Sequence, residues 1–200
     1  MKKLSLIFSG LILVCFWGCA TPGQKFIDIT YLADHEKTQT GKIGIATVKD
    51  NRGKTDKGYI GYRILLDKTR EIYFVKSLDL GGTLTRALKI YYEKNGFEVT
   101  YIDPWDLTTG GVISASRGFE QIVAGAINGF ECRAEKNGPA THMVFDIDLT
   151  LYLGIADKKT LKTIPVSLTL ERTELSFNEK KLEQFVNQAL KEVIQKALVF

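Results

Sequence analysis

Residues 141–155 read THMVFDIDLTLYLGI, and this stretch decides the fold. Met143, Phe145, Ile147, Leu149, Leu151 and Leu153 take every odd position from 143 to 153. Successive side chains leave opposite faces of a sheet, so alternation of this length predicts a long strand with one buried face. Thr160–Thr173 answers it, with Ile164, Val166, Leu168 and Leu170 at even positions. Asp157-Lys158-Lys159 is the turn between them. A register that sets Leu149 opposite Val166 puts both apolar sets on one face. Pro165 has no N–H, which places the second strand at a sheet edge or at a bulge.

Downstream, Ser176–Phe200 reads as a closing helix. Ser176 and Glu179 have capping-box spacing. Leu182, Phe185, Val186, Ala189, Leu190, Val193, Ile194 and Ala197 form one apolar stripe, with Lys180, Glu183, Lys191 and Lys196 outside it. A helix so patterned covers one face of a sheet. Upstream, Phe119–Ala134 is read as a strand, because Gly125 and Gly129 would each cost a helix interior about 1 kcal/mol.

Further upstream, Lys42–Lys49 is apolar on both faces and suits an internal strand. It runs into Asp50-Asn51-Arg52-Gly53, a turn signal. Tyr59–Leu66 and Glu71–Lys76 make a hairpin around Asp67-Lys68-Thr69-Arg70. Asp79–Asn95 is a helix with Leu80, Leu84, Ala87, Leu88 and Tyr91 on one stripe, closed by Gly96. Phe97–Ile102 is a strand ended by Asp103-Pro104, and a parallel βαβ pairing with Lys42–Lys49 is expected. Asp103–Gly118 is read as a long loop. The fold class expected is α+β: a mixed, mostly antiparallel sheet with an early βαβ-like unit and a C-terminal helix on one face.

The N-terminus speaks to location. MKKLSLIFSGLILVCFWGC has Lys2 and Lys3, a short apolar run and Gly18 before Cys19. This is the pattern of a secretory signal, too short to span a bilayer comfortably. Gly18-Cys19 resembles a bacterial lipobox, which implies cleavage after residue 18 and acylation of Cys19. Residues 19–41 are read as the lipidated cysteine and a tether, with a short strand at Phe26–Tyr31. Residues 42–200 are read as a single periplasmic domain. A flexible tether of that length would hold the domain clear of the headgroup layer.

Composition excludes some classes. The net charge is +4 over the 200-residue chain, and Lys2 and Lys3 leave with the signal. That balance is too weak and scattered for a nucleic-acid partner. Of the three cysteines, Cys15 lies in the signal, Cys19 is the proposed lipid site, and Cys132 stands alone. The two histidines, His35 and His142, have no ligand spacing, so neither a metal site nor a cofactor is expected. No nucleophile elbow, dinucleotide fingerprint or phosphate loop is present in the sequence. Gly81-Gly82 opens a helix without further phosphate-binding residues.

Asp146 and Asp148 leave one sheet face together and are the best paired carboxylates. The plain reading of that face, which also carries Thr150, Ser167 and Thr169, is solvent. Cys132 and His142 across a hairpin are a second weak nucleophile constellation. The loop Asp50, Asn51, Arg52, Lys54 and Lys57 is the candidate partner-binding loop, because Arg52 suits bidentate carboxylate or phosphate contact.

Several of these pieces resemble the YajG-type envelope lipoproteins. They are the lipobox cysteine, the strand entering Asp50-Asn51-Arg52, and the helix introduced by Ser77-Leu78-Asp79-Leu80. Asn95-Gly96-Phe97-Glu98-Val99, the strand around Ile122–Phe130 and the helix with Phe185-Val186-Asn187-Gln188-Ala189-Leu190 complete the set. More remotely, the order of elements is similar to that of auxiliary lipoproteins of lipid-transporting ABC systems. The hairpin at Tyr59–Lys76 and the loop Asp103–Gly118 depart from the simplest pattern.

The resemblance implies an α+β periplasmic domain on an outer-membrane lipid anchor, with no established reaction. The expectation is a non-enzymatic binding or assembly factor with the membrane and an envelope protein or transporter as partners. Two alternatives stand beside it: an auxiliary subunit of an envelope lipid-transport system, and a hydrolase using Asp146 and Asp148.

Overall fold

The computed structural model describes residues 23–32, 39–77 and 79–198. The signal segment, Cys19 and His35 lie outside the described residues. In chain order the strands are β1 (Gln24–Ile27), β2 (Lys42–Ala46), β3 (Lys49–Asp50), β4 (Tyr59–Ile64), β5 (Arg70–Val75), β6 (Glu98–Ile102), β7 (Gln121–Asn137), β8 (Ala140–Ile155) and β9 (Thr160–Glu174). The helices are α1 (Leu80–Lys94), α2 (Thr109–Ala115) and α3 (Glu179–Leu198).

β7 is the spine. One of its edges pairs along its whole length with β8, from Gln121 opposite Ile155 to Asn137 opposite Ala140. The other edge takes three short strands in succession, all parallel to it. β2 meets residues 121–123, β3 meets Ala126 and Ile127, and β4 meets Cys132 to Glu135. β8 passes the sheet on to β9, β2 to β6, and β4 through β5 to β1. The long antiparallel pairings of β7, β8 and β9 therefore carry most of the ladder, and the short parallel ones cluster on one edge.

The decisive stretch behaves as its alternation requires. Met143, Phe145, Ile147, Leu149, Leu151 and Leu153 are all buried. Leu149 stands opposite Val166, the expected register, and β9 with Pro165 is an edge strand. β4 and β5 form the expected antiparallel hairpin, and β2 pairs parallel with β6 across α1. Gly61 is obligatory in that hairpin, since its φ is +149° and a Cβ there would lie 1.9 Å from the Cys132 carbonyl oxygen.

α1 starts with the Asp79 carboxylate accepting from the Gly82 amide at 2.5 Å. It ends at Gly96, whose φ of +96° reverses the chain into β6. α3 lays its predicted stripe on β8, β9 and β1. Phe130 of β7 meets Phe145 of β8 edge-on, and Phe145 meets Phe185 of α3 at a tilt, with ring centroids 4.8 Å and 6.3 Å apart.

Three expectations need correction. Residues 24–31 are not tether: β1 joins the sheet beside β5, and Ile27, Ile29 and Tyr31 are core. Polar neighbours hide this, because Asp28 and Thr30 look solvated in sequence but are tied down through their backbone. Asp28 N donates to Glu183 Oε2 at 2.8 Å, and Thr30 N donates to Asn187 Oδ1 at 3.0 Å.

The cap of α3 is Asn178, not Ser176: its Oδ1 accepts from the Lys181 amide at 2.9 Å. Ser176 instead accepts from Lys181 Nζ. Within Asp103–Gly118 a short helix, α2, forms under a Thr108 cap. It sets buried Val112 against Ile122 and Gly154, on the sheet face opposite α3. Its glycines and short length suppress any helical period in the sequence.

Candidate functional site

The loop after β3 is the candidate contact surface, and its residues part company in the structure. Lys49 and Asp50 pair with β7, and Asn51 N donates to the Ile127 carbonyl at 2.9 Å. The chain then leaves β7 until Gly61 rejoins it opposite Cys132. Arg52 occupies the break. Its Nη1 donates to the carbonyls of Tyr59 at 2.7 Å and Phe130 at 3.0 Å. Its Nε and Nη2 grip both oxygens of Asp50 at 2.9 Å and 2.8 Å.

The two side chains are only 3% and 7% exposed. The guanidinium thus replaces the strand amides missing between β3 and β4. Its hydrogen bonds, opposed by partial burial, hold the Asp50 carboxyl below the usual carboxylate range. Arg52 therefore ties the loop to the sheet.

The rest of the loop faces outward. Asn51, Gly53, Lys54, Thr55, Asp56 and Lys57 are exposed. Lys54 Nζ sits 4.8 Å above the Tyr59 ring and 3.4 Å from Glu131. Tyr59 donates its phenol proton to the same Glu131 at 2.8 Å, and burial with that acidic neighbour raises its pKa. The Lys57 carbonyl accepts from the Leu80 amide at 2.9 Å, which joins the loop to the start of α1.

Beside the loop the outer face of β4, β5 and β1 is aromatic. Phe26 and Phe74 lie 5.8 Å apart, and Phe74 meets Tyr59 edge-on at 6.3 Å. Farther along the same face the character changes to polar. Asp146 accepts from Arg133 Nη2 at 2.5 Å and from Thr169 Oγ1 at 2.7 Å. The Asp146 side chain is 42% exposed. Asp146 and Asp148 thus leave the face that carries Ser167 and Thr169, as their spacing requires, and that face is open to solvent.

Cys132 and His142 are not brought together. Phe145 stands opposite Cys132, and Glu135 opposite His142. The thiol is buried, and desolvation pushes its pKa up to about 12. The exposed imidazole lies 3.3 Å from Thr173 Oγ1 and 3.8 Å from Glu171. Among the described residues no group of acids, histidines or cysteines is arranged to hold a metal. The Gly82 amide is taken up by its own cap, Asp79, and a Cβ at Gly81 would lie 2.5 Å from the Val48 carbonyl oxygen.

Sequence reasoning missed two polar positions. Arg63 stands on the inward face of β4, with its guanidinium 4.0 Å over the Phe177 ring. It donates to Thr141 at 3.0 Å and flanks Glu71, which also accepts from the Tyr73 phenol at 3.1 Å. Arg63, Glu71, Tyr73 and Phe177 line an open recess of about 480 Å³ at the start of α3. The available signal was an arginine sharing the inward parity of Gly61. Asn187, buried on α3, gave little signal, since of the residues one turn away only Leu190 is apolar and Glu183, Gln184 and Lys191 are polar. A second recess, of about 650 Å³, lies at the end of β8, with Phe119, Leu153 and Ile155 beside Glu120 and Lys158.

No protein-family model matches the chain, and no curated protein matches it in sequence. Solved structures do share its shape. The crystal structure of protein XCC0632 from Xanthomonas campestris, described under family-model DUF330, has 11% identity and a TM-score of 0.53, covering 88% of this chain and 95% of its own. An uncharacterized protein has 13% identity and a TM-score of 0.47, with coverages of 88% and 97%. Lipoprotein GNA1162 from Neisseria meningitidis has 6% identity and a TM-score of 0.38, with coverages of 77% and 98%. The likeness to the Xanthomonas protein is one of fold alone, shared at nearly unrelated sequence.

Proposed function

We propose that this chain is a lipid-anchored protein of the bacterial envelope, facing the periplasm, that binds or assembles a partner without catalysing a reaction. The observation that carries this reading is the passage from Lys2 to Cys19, followed almost at once by folded chain: the Gly23 carbonyl already accepts from the Ile72 amide at 3.0 Å. A secretory signal with acylated Cys19 would deliver such a domain to a membrane. Ala20, in place of an aspartate after the cysteine, supports the outer membrane.

The groups that suggested chemistry have other work. Arg52 bridges the gap between β3 and β4, Asp146 is engaged by Arg133 and Thr169, and the Cys132 thiol is core. The exposed positions Asn51, Lys54 and Lys57 remain the proposed contact side of the loop, because loops on rigid scaffolds carry recognition.

The test is Cys19→Ser. The native protein should partition into detergent and carry the added mass of a diacylglyceryl group and an amide-linked acyl chain. The variant should lose both and become soluble in the periplasm. A native mass without lipid would refute the anchor. Density-gradient separation of the two membranes checks the outer-membrane assignment.

One observation favours a second reading, an auxiliary subunit handling an amphiphile for an envelope transporter. The larger recess sets Phe119, Leu153 and Ile155 beside a charged rim of Glu120, Asp157, Lys158 and Lys162, apolar and ionic groups side by side. Saturable binding of a fluorescent fatty acid, lost in the exposed-site variant Lys158→Glu while the melting curve holds, would favour it.

A further inference from the structure

Resting on the Cys19 anchor, the structure allows almost no tether, and this says which side of the domain meets the bilayer. Gly23 is already hydrogen-bonded to β5, so only Ala20, Thr21 and Pro22 separate it from Cys19. Four residue steps span at most about 14 Å. The headgroup region takes up roughly 5–7 Å of that reach on each side of a bilayer. The domain therefore rests against the membrane within several ångströms of the point where β1 begins.

β1 runs parallel to β5, so the chain upstream of Gly23 heads the same way as β5 does toward its own start. That direction leads to the turn of the β4–β5 hairpin. Leu66 sits in this turn, 58% exposed, among the most exposed large apolar side chains of the described residues. Behind it, the outer face carries Ile72, Phe74 and Phe26, the last 53% exposed. Arg70 lies 4.9 Å over the Tyr62 ring, and Lys54 lies over Tyr59. Aromatic rings with cations at their rims suit the membrane interface, where one end is apolar and the other wet. The opposite end of the same face, around Asp146, Asp148 and Ser167, has the polarity of a surface that stays in water.

We propose that the tip of the β4–β5 hairpin at Leu66, with the adjoining outer face around Phe26 and Ile72, lies on the bilayer that holds Cys19. The occupant of this apolar face is thus a lipid surface. The domain is held in one orientation, with the polar end of that face, around Asp146, Asp148 and Ser167 on β8 and β9, turned toward the periplasm.

Nitroxide labels read this directly. Full-length protein processed in cells is reconstituted into vesicles of phosphatidylethanolamine and phosphatidylglycerol. Labels are placed at Leu66→Cys, Phe26→Cys and, for reference, Asp148→Cys. Cys132 is buried and escapes labelling. Each label is compared with the same label on the Cys19→Ser protein in solution. The labels at 66 and 26 should gain accessibility to oxygen and lose accessibility to a water-soluble nickel chelate, by several-fold at 66. The label at 148 should not change.

Flotation with the vesicles but unchanged labels at 66 and 26 would overturn the orientation and leave the anchor standing. Labels at 66 and 26 that lose both oxygen and nickel accessibility would mean a protein covers the face, which overturns the lipid assignment. A protein that neither floats nor carries lipid mass would overturn the anchor reading and this proposal together.

Discussion

Arg52 reaches across the gap between β3 and β4 to give a hydrogen bond to the main-chain oxygen of Phe130, at 3.0 Å. The same nitrogen serves Tyr59 O, so one side chain closes a break in the sheet that backbone amides leave open.

Arg52→Ala should destabilise the domain by about 3–5 kcal/mol, the usual cost of removing one partner of a buried ion pair. Two carbonyls lose their donor and Asp50 loses its counter-charge. Denaturant unfolding measures this. A loss under about 0.5 kcal/mol would show Arg52 to be a surface residue, free for partner contact.

Asp50 also sets a pH dependence. Its folded-state pKa lies below its unfolded value. Its charge therefore stabilises the fold fully above the unfolded pKa of about 3.9, and this contribution fades as pH falls from there through the folded pKa. The acid limb of a stability–pH curve should be shallower in Asp50→Asn than in the native protein. Parallel curves would contradict the pairing.

Asn187 clamps the N-terminal segment. It accepts from Thr30 N and donates to Asp28 O at 3.1 Å. Asn187→Leu should cost about 1–3 kcal/mol through the unsatisfied backbone groups. Amide exchange at residues 28–31 should rise before that of β7. Uniform exchange across the sheet would show that β1 does not open separately.

Leu190 is fully buried where α3 meets the sheet. Leu190→Ala should cost about 2–5 kcal/mol. A variant as stable as the native protein would mean that α3 packs on its own sheet only weakly and is held by a partner.

Cys132 should be inert in the folded protein, since its thiol is buried and titrates far above neutral pH. An alkylating reagent at pH 8 should leave it unmodified until denaturant is added. Modification in step with global unfolding is expected, and rapid labelling of native protein would contradict the burial.

The alternation from Met143 to Leu153, the stripes of α1 and α3 and the turn signals were enough to place β4 to β9 and the two long helices, because each depends on side-chain period or on a local backbone need. The seating of β1 in the sheet, α2 and the break that divides Lys42–Asp50 into β2 and β3 were not legible. The register of Leu149 with Val166 was legible for the same reason: only one alignment puts both apolar sets on one face. Other features rest on contacts between residues distant in sequence. The place of β1 beside β5 depends on Asn187 and Glu183, more than 150 residues away. The inward turn of Arg52 depends on where β7 leaves Phe130 O without a strand partner. In sequence, Arg52 in a polar turn and Asp28 in a polar stretch look the same as solvated residues. Their roles were set only when tertiary packing placed unpaired backbone groups within reach, since a buried carbonyl or amide must find a partner wherever the chain supplies one.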